Sequence, residues 1–275
     1  MDRGIQPCGY LLELSLDWIV QRASENIHHL LGESHVTLIE EPLGRFVHSQ
    51  ALHDLRNLFS RLSATTGIAR AYRVRLTDDP DLFDIAFQQH GDAVILEAVP
   101  SPPDGLGEAL SAVGGLADGM ARDSGAKLLD GAARRMRALT AFDRVTLLIG
   151  ESKSTSSRTG VPFRAGANAS LSDGFPAFVS DSASPVVPLF PREDCDAAVE
   201  LAMLRAPSGE QTEDLVDRGF ASTMRVPVML GGQTIGEFRM AHTRPRVPSF
   251  EVHAAAELFA QLFAMRLEID RLKSA

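Results

Sequence analysis

The sequence predicts an α+β protein of two domains, and three observations carry that prediction. The first hundred residues read as strand, strand, helices and then three antiparallel strands. Pro100-Ser101-Pro102-Pro103-Asp104-Gly105 then interrupts the pattern, because its prolines extend neither a helix nor a sheet interior. The rest of the chain sets a hairpin between helices at both ends. The expected domains are residues 1–102 and 103–275, each an antiparallel sheet with flanking helices.

The elements follow in order. Leu11-Leu12-Glu13-Leu14 is the first expected strand and residues 18–23 the second, with Ser15-Leu16-Asp17 as the turn. Ser24-Glu25-Asn26 offers cap oxygens to a helix that runs through Leu30-Leu31 and stops at Gly32. Leu52, Leu55, Leu58, Phe59 and Leu62 recur at helical spacing. Residues 70–76 alternate as a half-buried strand. Residues 83–87 and 93–99 are two more strands, turning near Gly91-Asp92.

Past the break, Leu106, Leu110, Val113, Ala117 and Met120 form a helical stripe, and a second helix covers residues 127–139. Residues 144–149 are a strand, and the Ser/Thr-rich stretch 151–160 is an exposed hairpin or loop. Residues 185–192 are punctuated by proline and irregular. The runs 224–230 and 233–240 flank Gly231-Gly232, a strong hairpin signal. Gly114-Gly115 reads as a turn or a helix break, and Ser249 caps a long final helix.

Hydrophobic residues are 44% and charged residues 23%, a globular composition that excludes disordered and fibrous classes. No apolar run reaches the ~18 residues of a membrane span, and no secretory signal is read. Cys8 and Cys195 make neither a disulfide framework nor a Cys-rich zinc site, so the reducing cytoplasm is the expected compartment. A net charge of −9 argues against nucleic acid and anionic membranes as partners, since both need a basic face. No nucleophile elbow, P-loop, His-Glu-x-x-His motif or dinucleotide fingerprint occurs, so no enzyme is expected.

Ile5-Gln6-Pro7-Cys8-Gly9-Tyr10-Leu11-Leu12 resembles the Ile-Gln-Pro-His-Gly-x-Leu-Leu opening of bacterial phytochromes. Ala23-Ser24-Glu25-Asn26 and Leu30-Leu31-Gly32 fit the PAS domain of that family, and residues 139–145 resemble the first GAF strand. Leu204-Arg205-Ala206, residues 219–224 and residues 231–236 follow in the family's order. The resemblance covers nearly the whole chain. It implies a PAS domain followed by a GAF domain, with the chain near Ile5 threading a lasso, a possible knot, built around residues 180–205. It further implies a sensory module that dimerises through its GAF helices and passes a signal to an output domain or partner.

In that family the pair binds a linear tetrapyrrole, and the departures bear on that role. Only Met1-Asp2-Arg3-Gly4 precedes the first motif, so the bacterial attachment cysteine has no counterpart. No cysteine follows Arg205-Ala206 in Pro207-Ser208-Gly209-Glu210-Gln211 either. The Asp-Ile-Pro segment expected after Gly174-Phe175-Pro176-Ala177 is absent, and a gapless count puts Ala241 at the chromophore-facing histidine, with His242 beside it. Arg205, a propionate-binding arginine in the family, and Thr223, where serine is usual, remain as contacts. Unpaired polar groups in a closed pocket cost about 1–3 kcal/mol each. The resemblance with these losses implies a degenerate bilin site and no cofactor. The alternatives are a red-light photoreceptor with biliverdin or another bilin, held non-covalently or through Cys8, or a binder or enzyme of another tetrapyrrole or small anionic ligand.

Each candidate residue has a simpler reading beside the functional one. Cys8 is a displaced bilin anchor or a small buried apolar residue. Cys195 stands among carboxylates, which raise a thiol pKa and disfavour reactivity. His28 and His29 point about 100° apart on a helix, and no zinc-spaced ligand accompanies them. His242 approaches the GAF pocket or serves packing and hydrogen bonding. Arg205 and Arg225 hold an anion in the GAF cup, or pair on the surface with Glu200, Glu210 or Glu213. Phe175 and Phe178 are available to fill the cup. In the last helix, Leu258, Leu262, Met265, Ile269 and Leu272 alternate four- and three-residue steps, the seam of a parallel coiled coil. Phe259 and Phe263 form a second stripe for the GAF sheet.

Overall fold

Strand β1 (Tyr10–Ser15) is buried on both faces, so its apolar run fits the middle of a sheet. A tight turn with Trp18 at φ 66° leads into β2 (Val20–Ser24). The short helices α1 (His28–Leu31) and α2 (His35–Leu38) and the long α3 (Ser49–Leu62) follow. Strands β3 (Ala69–Val74), β4 (Phe83–His90) and β5 (Ala93–Pro100) complete this part. A computed structural model describes residues 3–62, 67–103, 108–161, 175–193 and 196–274. Leu106, Gly174 and Cys195, all named above, lie outside them.

The chain continues through α4 (Glu108–Asp118), α5 (Gly125–Thr140), β6 (Arg144–Ile149), β7 (Ser152–Ser157) and β8 (Phe178–Val179). Then come β9 (Leu189–Phe190), α6 (Ala197–Leu201) and α7 (Gly209–Arg218). The hairpin β10 (Ser222–Leu230) and β11 (Gln233–His242) precedes α8 (Phe250–Ser274). Contacts divide the chain into two units, residues 1–104 with 184–208, and residues 105–183 with 209–275. The stretch 184–208 therefore belongs to the first unit although it interrupts the second in sequence.

The first unit holds a six-stranded sheet in the order β3-β4-β5-β1-β2-β9. One face buries Leu12, Leu14, Val20, Ile85, Phe87 and Leu96 with Leu38 and Leu55 from the helices. On the other face, Leu11 pairs with Glu97 and Glu13 with Arg22. The N-terminal stretch is hydrogen-bonded on both sides. Ile5 N donates to Val187 O at 2.8 Å, and Gln6 N donates to Leu204 O at 2.8 Å. A Cβ at Gly4 would collide with Val187 O, so the approach requires glycine.

The second unit holds a five-stranded sheet in the order β7-β6-β11-β10-β8. Val226, Val228, Phe238 and Met240 are buried, and α4, α5 and α8 form its helical layer. Phe238 meets Phe259 and Phe263 of α8 at ring-centroid distances of 6.2 and 5.5 Å.

Three local expectations are corrected. Ser24 and Asn26 do not cap α1: Ser24 Oγ accepts from Leu11 N at 3.1 Å, and Asn26 Nδ2 donates to Gly9 O at 3.0 Å. Both side chains join distant backbone instead. The second strand starts at Val20 rather than residue 18, because Trp18 lies in the left-handed turn. Gly114 and Gly115 sit inside α4 without breaking it. The short helices α2 and α6 had no periodic signal, since little more than one turn cannot show one, and the longer α7 was not anticipated. Gly32, at φ 73°, ends α1 as expected, and Gly231 and Gly232, at φ 56° and 79°, make the hairpin turn.

Candidate functional site

The candidate site lies in the second unit, on the face of its sheet opposite α8. In the β10–β11 ladder Thr223 stands across from Ala241, and Arg225 across from Arg239. Alternation puts these four residues on one face and Met224, Val226, Phe238 and Met240 on the other. Val179 of β8 flanks Thr223 on its other side. This is the cup in which the phytochrome resemblance would seat a ligand.

The cup face carries apolar side chains. Ala241 packs in one cluster with Phe175, Val179, Leu215 and Phe220, each at most 6% exposed. Phe178, expected to help fill the cup, does not: it pairs with Met224 and so lies fully buried on the opposite face of the sheet. Thr223 is itself buried. Leu215 comes from α7 and Phe220 from the turn after it, two contributors the sequence reading missed. The signal was present: Leu215 is the lone large aliphatic on the inner face of an otherwise polar α7.

Beside the cluster, Arg225 is engaged within its own sheet. Its Nε donates to Glu237 Oε1 at 2.5 Å and its Nη1 to Phe175 O at 3.4 Å. Arg239 donates to the other oxygen of Glu237. Two guanidiniums thus share one carboxylate, all three side chains being mostly buried, and the trio retains one positive charge. Arg239 and Glu237 were not anticipated. They lie two residues apart on β11, as Thr223 and Arg225 do on β10, so a period-two reading could have paired them.

His242 pairs with Ser222 and so lies on the opposite side of β11 from Ala241. Arg244 N donates to its Nδ1 at 3.0 Å, while its Nε2 stands 3.5 Å from Asp143 Oδ2. Asp143, 3% exposed, also accepts from Thr243 N and Oγ1 at 3.2 and 3.0 Å. The arrangement ties the end of β11 to the start of β6.

The other two candidates belong to the first unit. Cys8 is half-buried in the turn before β1. Arg205 donates to Glu200 at 2.8 Å, and its carbonyl accepts from Gln6 Nε2 at 3.1 Å. The structure thus brings together Thr223 and Arg225, places His242 on the other side of that sheet, and sets Cys8 and Arg205 in a different unit.

That unit contains two buried polar joints the sequence reading did not find. Arg22, 4% exposed, grips Asp196 through two bonds of 2.9 and 2.6 Å and donates to Pro191 O at 2.8 Å. Burial opposes its charge, but Asp196, Glu193 and Glu13 together hold its pKa above the ordinary value. Burial likewise pushes Asp196 up, and the Arg22 bonds with that from Val199 N outweigh it, leaving a lowered pKa. Glu97, 1% exposed, accepts from Met203 N at 3.1 Å and Leu204 N at 2.7 Å. Burial pushes its pKa up to about 7, against the opposing pull of these amides and Arg70. The signal for Glu97 was a single carboxylate within the apolar run of β5.

Among the described residues no group of His, Cys, Asp and Glu could hold a metal, and no helix is long and apolar enough to cross a membrane. Residues 1–101 match the family model of the PAS fold. The chain is 26% identical to a bacteriophytochrome of Pseudomonas aeruginosa over 98% of its own length and 40% of that protein. It therefore spans less than half of this curated relative. Among solved structures, it aligns with the chromophore-binding domain of an unusual bacteriophytochrome from R. palustris at a TM-score of 0.79 and 22% identity. That alignment covers 98% of this chain and 96% of that one. The chromophore-binding domain of a Stigmatella aurantiaca phytochrome aligns at 0.78 and 22% identity, covering 95% of each chain.

Proposed function

From its phytochrome-like PAS–GAF fold, we propose that the chain is a sensory or regulatory signalling module that binds no bilin and has no catalytic role. We read residues 1–102 as its PAS domain and 103–275 as its GAF domain, with a lasso built around residues 180–205 and threaded by the chain near Ile5. The observation that carries the reading is the apolar cluster of Phe175, Val179, Leu215, Phe220 and Ala241. A bilin needs buried donors and acceptors for its pyrrole nitrogens and propionates. This face offers aromatic and aliphatic carbon where those partners would stand. Absorbance after mixing with biliverdin tests it: no red band is expected. A red band, or a zinc-fluorescent covalent adduct, would establish the second reading, a photoreceptor. That reading draws on the relatives described as chromophore-binding, and Cys8→Ala would abolish an adduct formed at Cys8.

Signalling in this proposal runs through a cytoplasmic homodimer to a partner or output domain. Phe259 and Phe263 face the sheet and are fully buried, whereas Leu258, Met265, Ile269 and Leu272 are 40–70% exposed on α8. Leu262 is half-buried between the two stripes. A helix with two apolar faces must cover both, and a second copy's α8 covers the outer one. Light scattering should give a dimer mass. Leu262→Glu combined with Ile269→Glu should give a monomer, and a dimer unchanged by that pair overturns the interface.

A further inference from the structure

A groove of about 660 Å3 runs between α3 and β3 in the first unit, and the phytochrome reading assigns it nothing. One face of α3 lines one wall, with Ala51, Leu55 and Leu58 at its floor. The other wall is the consecutive run 71–75. Residues 71–74 of this run belong to β3 and Arg75 follows it directly. β3 is the terminal strand of the sheet, and among the described residues no strand pairs with its outer side.

The charge on this groove opposes that of the chain. Arg61, Arg73 and Arg75 line it against one carboxylate, Asp54, although the chain carries −9 overall. Among the described residues Arg61 and Arg75 form no ion pair, and both are exposed. A β-bulge between Ala71 and Val74, with Arg73 at φ 54°, bends the edge. Bulges and edge charges deter indiscriminate strand pairing. A second copy of this edge is equally basic and is repelled. An extended chain with carboxylates on alternate residues is attracted.

We propose that the groove binds an acidic, extended peptide of a partner protein, added as a strand along β3 beneath α3. Backbone bonds to the edge would supply affinity, the apolar floor would take every second side chain, and the arginines would select carboxylates.

Fluorescence anisotropy of the full chain with labelled acetyl-Glu-Val-Glu-Val-Glu-Val-amide tests this. Saturable binding with Kd on the order of tens of micromolar is expected. The Lys-Val counterpart should bind at least about 100-fold more weakly, and Arg61→Glu with Arg75→Glu should weaken the acidic peptide at least about tenfold. Both arginines are exposed, so near-ultraviolet circular dichroism should not change. N-methylation of alternate peptide nitrogens should cost at least about tenfold, because it removes the ladder donors. Absence of saturation by about 1 mM, equal binding of the Lys-Val peptide, or undiminished binding by the double variant overturns the proposal. Indifference to N-methylation overturns it as well, since attraction would then be charge alone without strand addition.

Discussion

The second faces of the two sheets are closed in opposite ways. In the first unit, the face bearing Leu11, Glu13, Arg22 and Glu97 is met by Asp196 and by Met203 and Leu204, held by buried charged and polar groups. In the second unit, the face bearing Thr223 and Ala241 is covered by aromatic and aliphatic side chains, with charge confined to the Arg225–Glu237–Arg239 trio. A carboxylate with two backbone amides, or a guanidinium with a carboxylate, accepts one geometry. Such groups fix where a remote stretch of chain lies. An apolar cluster has no direction of its own and simply excludes water. The first unit therefore uses polarity to position a distant segment, whereas the second uses carbon to close a cup.

That contrast can be broken most forcefully at Arg22. Arg22→Met should lower stability by about 3–5 kcal/mol in urea unfolding, because Asp196 is left buried without its cation. Adding Asp196→Leu should restore most of the loss. If the single and double variants unfold alike, the joint is not one coupled pair.

Glu97 tests the same face through pH. Its folded pKa of about 7 lies above its ordinary 4.5, so between those values the folded state binds a proton that the unfolded state lacks. Stability should therefore fall as pH rises through that window, by roughly 3 kcal/mol in total. Glu97→Gln should remove this slope. An identical pH profile in the parent and the variant would show that Glu97 does not titrate there.

On the other sheet, Ala241→His restores the side chain that the family resemblance expects. Among Phe175, Val179, Leu215 and Phe220 it should cost about 2 kcal/mol by thermal unfolding, because the imidazole enters the cluster without a partner. A neutral or stabilising effect would mean that the cup still has polar space. The smallest effect is expected at Arg205, whose partner Glu200 is 47% exposed. Arg205→Ala should cost less than about 1 kcal/mol, since solvent screens such a pair. A loss matching that of Arg22→Met would place Arg205 with the buried joints.

Local chemistry alone determined much of this protein. The break at 100–105, the strand runs of β4 and β5 around Gly91-Asp92, the stripe in α3 and the Gly231-Gly232 turn each express a rule of spacing or backbone freedom, readable over a few residues. The ordered motifs at 5–12, 204–206 and 231–236 carried the PAS–GAF likeness for the same reason. Only the tertiary structure decided which sheet residues 184–208 join, because Arg22 and Asp196 are 174 residues apart and neither carries a local sign of the other. Tertiary structure alone also closed the cup with Leu215 and Phe220, and drew Ser24 and Asn26 away from a helix cap toward Leu11 and Gly9. A side chain's best partner depends on what burial brings within 3 Å, and burial is a property of the assembled chain.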